Sequence, residues 1–252
     1  MRGQKFHLLR KLSKKKKRKK KKKTLALKQK KIPLNNKIKE VLKNIESAQT
    51  ASQKVKLLAV TKTHPKEVVQ ETFNCGIKYF GENKVQEAEK KYIDKPKGSE
   101  LHLIGRLQTN KINKALKTFD VIQSVDSLKL AKNINKRALI ISKNQRIFCQ
   151  INIGKDPQKT GFTIEELESH IEEITKFSNI ALEGIMTILP NNIDEKKRNQ
   201  LFSKTKQIAQ KISKNYNKHL EISMGMSGDY VAAIKNGATM VRVGSKLYGS
   251  RQ

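Results

Sequence analysis

Tryptophan is absent from the 252-residue chain, aromatic residues make up only 5%, and there are two cysteines. Cys75 and Cys149 share no CxxC or metal-ligand spacing, so they read as two buried thiols of a reducing compartment, neither ligand nor nucleophile. Long apolar runs are missing as well. No segment approaches the roughly 18 consecutive apolar residues of a membrane span, and nothing resembles a signal peptide. The chain is therefore expected to be cytoplasmic. Acidic residues are scarce: 22 Asp and Glu face 55 Lys and Arg, a net charge of +33.

That excess is uneven. Residues 1–31 hold 17 Lys and Arg and no acid, leaving +16 on the remainder. The stretch "KLSKKKKRKKKKKTLALKQKK" has no apolar period and strong self-repulsion, so residues 1–35 are expected to form a disordered lysine-rich tail. Such a tail offers contact with nucleic acid or an anionic membrane surface. However, no aromatic residue interleaves the run, and only 9 of the 55 basic residues are Arg, so lysine is favoured throughout the chain.

From residue 36 the pattern becomes regular. Apolar residues at helical spacing (Ile38, Val41, Leu42, Ile45, Ala48) precede a first strand, Val55–Thr61. Seven further strands are predicted at 78–81, 101–105, 120–125, 146–153, 180–186, 220–224 and 239–244, each but the last followed by a helix. Such alternation implies parallel pairing with right-handed crossovers. Eight units in this length predict a closed (β/α)8 TIM-type barrel, an α/β single domain over 36–252. The rival, an open doubly wound sheet, normally carries a glycine-rich turn after its first strand, and "TKTHP" has none.

A barrel places its chemistry at the C-terminal strand ends, with phosphate near strands seven and eight. The first strand ends in Lys62, which either snorkels to water or uses its amine. "MGMSGD" after strand seven and "GSK" after strand eight supply small-residue turns, the Ser227 hydroxyl and helix N-termini, together an anion nest. Taken alone, Ser227 or Asp229 is equally an N-cap. Arg242, between Val241 and Val243, alternates inward and needs an acceptor: a carboxylate or a heteroaromatic ring nitrogen. Because the first strand closes beside the eighth, lysine, arginine and nest converge, which points to pyridoxal 5′-phosphate. Glu82 reads as an ordinary loop carboxylate, and Lys84, Lys111, Lys155 and Lys159 as water-facing, with Lys159 within reach of the rim.

The stretches "AVTKTHP", "FGENKVQEAEKK", "HLIGRLQTNK", "QSVDSLKLA", "INIGKDPQKTGF", "GIMTILP" and "ISMGMSGDYVAAIKNGATMVRVGSKLYGSR" resemble, in order, the pyridoxal phosphate homeostasis protein family. Its barrel is shared with alanine racemase, without the racemase's second domain. The resemblance implies a Schiff base between the cofactor and Lys62, with Asn83 and His102 near its ring. It also implies Met224, Ser227, Gly244 and Ser245 around the phosphate and Arg242 at the pyridine nitrogen. By its residues alone, His102 is equally a hydrogen-bonded core histidine. Partial desolvation beside a cationic arginine is expected to lower the lysine pKa toward the nucleophilic form. An arginine partner makes the ring a weak electron sink. The leading expectation is thus a monomeric, non-catalytic carrier of pyridoxal phosphate that serves apo-enzymes using it. A low-activity racemase is the first alternative; nucleic-acid or membrane binding through the tail is the second.

Overall fold

The computed structural model describes residues 32–249. Residues 1–31 of the expected tail lie outside the described residues, as does Arg251. The described residues start with α1 (Leu34–Ala48), then alternate: β1 (Lys56–Val60), α2 (Lys66–Asn74), β2 (Tyr79–Glu82), α3 (Val85–Lys91), β3 (Glu100–Leu103), α4 (Ile112–Thr118) and β4 (Val121–Val125). They continue through α5 (Leu128–Ile140), β5 (Gln145–Ile151), α6 (Ile164–Thr175), β6 (Ile180–Thr187), α7 (Glu195–Tyr216), β7 (Glu221–Met226), α8 (Tyr230–Lys235), β8 (Met240–Val243) and α9 (Ser245–Tyr248). The eight strands form one closed barrel in chain order, all parallel, with β1 and β8 joined through the pairs Leu57–Val241, Leu58–Arg242 and Ala59–Val243. The predicted (β/α)8 architecture is therefore the observed one. The expectation that nothing helical follows the last strand is corrected: α9 starts immediately after Gly244.

Local chemistry explains the boundaries. α6 opens with a capping box in which Thr163 Oγ1 accepts from the Glu166 N–H and Glu166 returns the bond to the Thr163 N–H. α7 is capped by Asp194 and stops at Asn217, which adopts φ 46°, the left-handed conformation that ends helices. α1 places Ile38, Val41 and Ile45 in the core, and Asn44 Nδ2 donates to the Tyr230 hydroxyl at 2.9 Å, tying the first helix to α8. Among the described residues no helix is long and apolar enough to cross a membrane.

Strand alternation sorts side chains into two layers. Leu57, Ala59, Leu101, Leu103, Ile222, Met224, Val241 and Val243 belong to the large cluster between barrel and helices. Their neighbours turn inward: Leu58, Val60, Ile104 and Met240 form one inner cluster, and Val121, Phe148 and Met186 another. His102, Gln123, Ser223 and Arg242 share that interior, all at most 3% exposed. At the N-terminal end the barrel is plugged by ion pairs. Lys56 pairs with Glu221, while Arg146 holds Glu100 at 2.7 Å and Glu183 at 2.7 Å.

The His102 imidazole beside it, together with the Arg146 guanidinium, lowers the Glu100 carboxyl from an ordinary 4.5 to about 2. A folded value below the unfolded one means that this carboxylate stabilises the fold above pH 4.5 and that its contribution is lost as pH falls toward 2. In urea unfolding followed across that range, Glu100→Gln is expected to show a shallower acid loss than the parent. Parallel acid profiles would remove Glu100 from the explanation.

Candidate functional site

The C-terminal rim of the barrel encloses a cavity of about 360 Å³ lined from six strands. β1 contributes Val60 with Lys62, Thr63 and His64 beyond it; β2 contributes Asn83, β3 Ile104 and β6 Ile188; β7 and β8 contribute Met226, Ser227, Gly228, Arg242, Gly244 and Ser245. Of the residues singled out in the sequence, Lys62, Asn83, Ser227, Arg242, Gly244 and Ser245 are thus brought together, and His102 and Met224 are not among the lining.

Lys62 is half-buried, and the backbone on both sides of it is held from α3. Lys91 Nζ donates to the Thr61 carbonyl at 2.8 Å, and Glu87 accepts from the Thr63 N–H at 2.5 Å. Thr63 adopts φ 68°, a left-handed backbone that a β-branched residue keeps only where its surroundings impose it. The expectation for Glu82 is corrected here. It is no loop carboxylate but the wholly buried last residue of β2, accepting from Thr61 Oγ1 at 2.7 Å and Lys91 Nζ at 2.9 Å. Burial pushes its pKa up, opposed by Lys91. Because the single Thr61 hydroxyl proton goes to Glu82, the Tyr92 hydroxyl donates to Thr61 at 2.7 Å.

Asn83 reaches the rim because a glycine follows the end of β3. A Cβ on Gly105 would stand 2.2 Å from the Asn83 carbonyl oxygen, so no larger residue permits that approach. A second glycine shapes β7. Pairing with β8 runs Ser223–Met240 and then Met226–Arg242, an extra residue on β7, and Gly225 at φ +88° absorbs the bulge. The bulge carries Met226, Ser227 and Gly228 over the cavity and leaves the Met224 side chain in the outer layer, fully buried.

Ser227 is no N-cap. Its Oγ accepts from the Gly244 N–H at 3.2 Å and the Lys246 N–H at 3.4 Å, joining the two turns. Asp229 accepts instead from the Met226 N–H at 2.6 Å. Among the described residues no acceptor meets the N–H groups of Ser227, Gly228 or Ser245. The following helices have 6 and 4 residues, so helix dipoles add little. Amides, hydroxyl and the Arg242 guanidinium form a donor set suited to an anion with several acceptor oxygens.

Arg242 donates to Ser223 Oγ at 2.8 Å and to the Thr187 carbonyl at 2.7 Å. Burial pulls its pKa down to about 10, against the attraction of Asp229, and it stays cationic at neutral pH. His102 is buried below the cavity, hydrogen-bonded to Gln123 at 2.8 Å, as the core reading anticipated. Lys159 pairs with Asp156 at 2.8 Å and does not line the cavity. His64, which does, is a residue that sequence reasoning missed: its ring lies 4.8 Å from that of Tyr248, and burial lowers its pKa. Met226 and the apolar wall of Val60, Ile104 and Ile188 were missed too; only the strand ends themselves signalled them.

Known proteins resemble this chain over most of its length. The alanine racemase N-terminal domain family matches residues 37–252. The chain is 37% identical over 221 residues to the pyridoxal phosphate homeostasis protein of Aquifex aeolicus, covering 87% of this chain and 97% of that one. It is 38% identical over 220 residues to the Helicobacter pylori protein of the same name, covering 84% and 96%. Among solved structures, PipY of Synechococcus elongatus with PLP bound superimposes with a TM-score of 0.76 at 31% identity, covering 86% of this chain and all of that one. Alanine racemase of Clostridium difficile shares the fold, with a TM-score of 0.70 at 20% identity, and covers 86% of this chain and 57% of its own. The chain belongs to the pyridoxal phosphate homeostasis protein family.

Proposed function

We propose that this protein binds pyridoxal 5′-phosphate in the rim cavity, holds it covalently through Lys62, and buffers or delivers it without robust catalysis. The observation that carries this reading is the convergence of Lys62, Arg242 and the Ser227–Gly244–Ser245 turns on one cavity. The residues fit the group: an amine for its aldehyde, hydroxyl and backbone N–H donors for its phosphate, and a donor-only guanidinium for its ring nitrogen. Asn83, from the β2 end, is the side-chain amide among the lining residues and is proposed to face the ring. Met224, in the outer layer, and His102, buried below the cavity, are not among the lining residues. When bound, the cofactor supplies an aldehyde that condenses reversibly with a primary amine and releases water.

The protein's own groups do the rest. The α3 clamp on Thr61 and Thr63 fixes the turn that aims Lys62, and the amides and Ser227 hold the phosphate. The apolar wall limits water at the ring face. Arg242, which keeps its proton, leaves the ring nitrogen as an acceptor, which works against carbanion chemistry and favours binding over turnover. One chain supplies the amine, the guanidinium and the anion-binding turns, which is what a monomeric carrier would need. A half-exposed Lys62 lets the amine of an apo-enzyme reach the linkage, and the cytoplasm is the compartment in which such transfer is useful.

Purified protein with pyridoxal phosphate is expected to be yellow and to be fixed by borohydride, with peptide mapping placing the label on Lys62. Lys62→Ala is expected to lose the colour and the label; a label on another lysine in that variant would refute the assignment. Incubation with single-enantiomer amino acids in D2O is expected to give no α-proton exchange at ordinary turnover, and rapid exchange would favour the racemase reading. Ser227→Ala is expected to weaken pyridoxal phosphate binding about tenfold, the loss of one hydrogen bond to a charged group. Its affinity for unphosphorylated pyridoxal should not change. Equal losses for both compounds would take the phosphate away from these turns.

A further inference from the structure

Below the cavity, a buried polar chain runs down the barrel interior, and one residue sets its direction. The Arg242 guanidinium has no lone pair to offer, so in its 2.8 Å contact with Ser223 the serine oxygen accepts. The serine's own proton must then go to another acceptor. The Gln123 carboxamide stands 2.7 Å away and receives that proton only with its oxygen facing Ser223. Turned the other way, the amide would donate to Ser223 as well, and the hydroxyl proton would have no acceptor among the described residues.

With that orientation settled, the amide nitrogen faces His102 Nδ1 at 2.8 Å and Met240 Sδ at 3.1 Å. Both of its protons are thereby committed. Nδ1 has to present a lone pair, so the imidazole carries its proton on Nε2. Nε2 lies 3.7 Å from Glu100 Oε2, too far for a hydrogen bond and close enough for attraction between an N–H dipole and a carboxylate. Every donor points the same way, from the Arg242 cation at the cavity floor to the Glu100 anion at the barrel's other end.

We infer that Ser223, Gln123 and His102 are positioning residues for Arg242: a neutral His102, protonated on Nε2, ends a one-way hydrogen-bond chain that locks the guanidinium at the cavity floor. The chain belongs to the protein without cofactor; only its consequence, the aim of Arg242 at the ring, rests on the proposed pyridoxal phosphate site. Burial favours the neutral imidazole, lowering its pKa against the pull of Glu100. A second proton on Nδ1 would also abut the Gln123 N–H. Complete burial of His102, Gln123 and Ser223 makes an unmade link costly, about 1–3 kcal/mol for each orphaned group.

The tautomer is read by nitrogen-15 NMR of the full chain labelled at histidine, with no cofactor present. His102 is expected to show a pyrrole-type Nε2 and a pyridine-type Nδ1 at neutral pH; a protonated Nδ1 would overturn the inference. Gln123→Glu replaces the donor with an oxygen, and Nδ1 is then expected to take up a proton. An unprotonated Nδ1 in that variant would overturn it as well. Ser223→Ala is expected to weaken pyridoxal and pyridoxal phosphate about equally, by roughly tenfold, because the ring contact is shared by both compounds. Unchanged affinity for pyridoxal would free Arg242 from this chain. If the wild-type protein binds neither compound, the cofactor reading fails, and the tautomer in the two NMR samples still decides for or against the chain.

Discussion

The pairing of β1 with β8 is the constraint on which everything else depends. Leu58 sits opposite Arg242 and Ala59 opposite Val243, so the first and last strands deliver Lys62, Arg242 and the Gly244 turn to the same rim. Strand side chains alternate with a period of two, and a slip of one residue would exchange Arg242 with a neighbouring valine. The guanidinium would then enter the apolar layer between barrel and helices, an uncompensated buried charge costing several kcal/mol. Closure register and site geometry are therefore one requirement, and the sequence need not encode them separately.

The interior shows what that register has to accommodate. A (β/α)8 core is ordinarily filled by layers of branched aliphatic residues, but here Leu58, Met240, Val121 and Phe148 share it with His102, Gln123, Ser223 and Arg242. Such a core is stable only when its polar atoms find partners. At the mouth Arg242 is satisfied by Ser223 and Thr187. At the closed end Lys56, Glu100, Arg146, Glu183 and Glu221 keep roughly a fifth to a third of their side-chain surface in solvent, so water shares the cost of their charge. Polarity at both ends thus leaves the apolar packing to the middle of the barrel and to the outer layer.

The fold was legible because its signal is repeated: eight alternating segments each bury one apolar set, and an error of one or two residues at a boundary does not alter the topology. The site was legible where a single position is unusual for its element, as with a lysine closing an apolar strand or an arginine between two valines. Three other positions depended on features that periodicity does not carry. Met224 was set at the phosphate by resemblance; the bulge at Gly225 carries the strand on to Met226, and the Met224 side chain packs in the outer layer. His102 was set near the ring by resemblance; it lies on β3 inside the barrel, and on that side the cavity lining is Ile104. Glu82 looked solvated because glycine and asparagine flank it, while its buried partner, Lys91, arrives more than two helical turns later.

In a chain so rich in lysine, the proposed cofactor linkage needs one amine set apart from the rest. Lys91 and Lys62 both approach the carbonyl end of β1, but three oxygens, from Thr61, Glu82 and Glu87, lie within 2.9 Å of Lys91 Nζ and occupy its donors. A lysine so engaged organises the turn and is unsuited to attack a carbonyl. Lys62, on the turn that Lys91 organises, shares its cavity with a guanidinium that stays cationic at neutral pH. Composition supplies cations everywhere on this molecule. What distinguishes the position proposed to hold the cofactor is that Lys91 and Glu87 bond the backbone on either side of it, while its side chain lines the cavity.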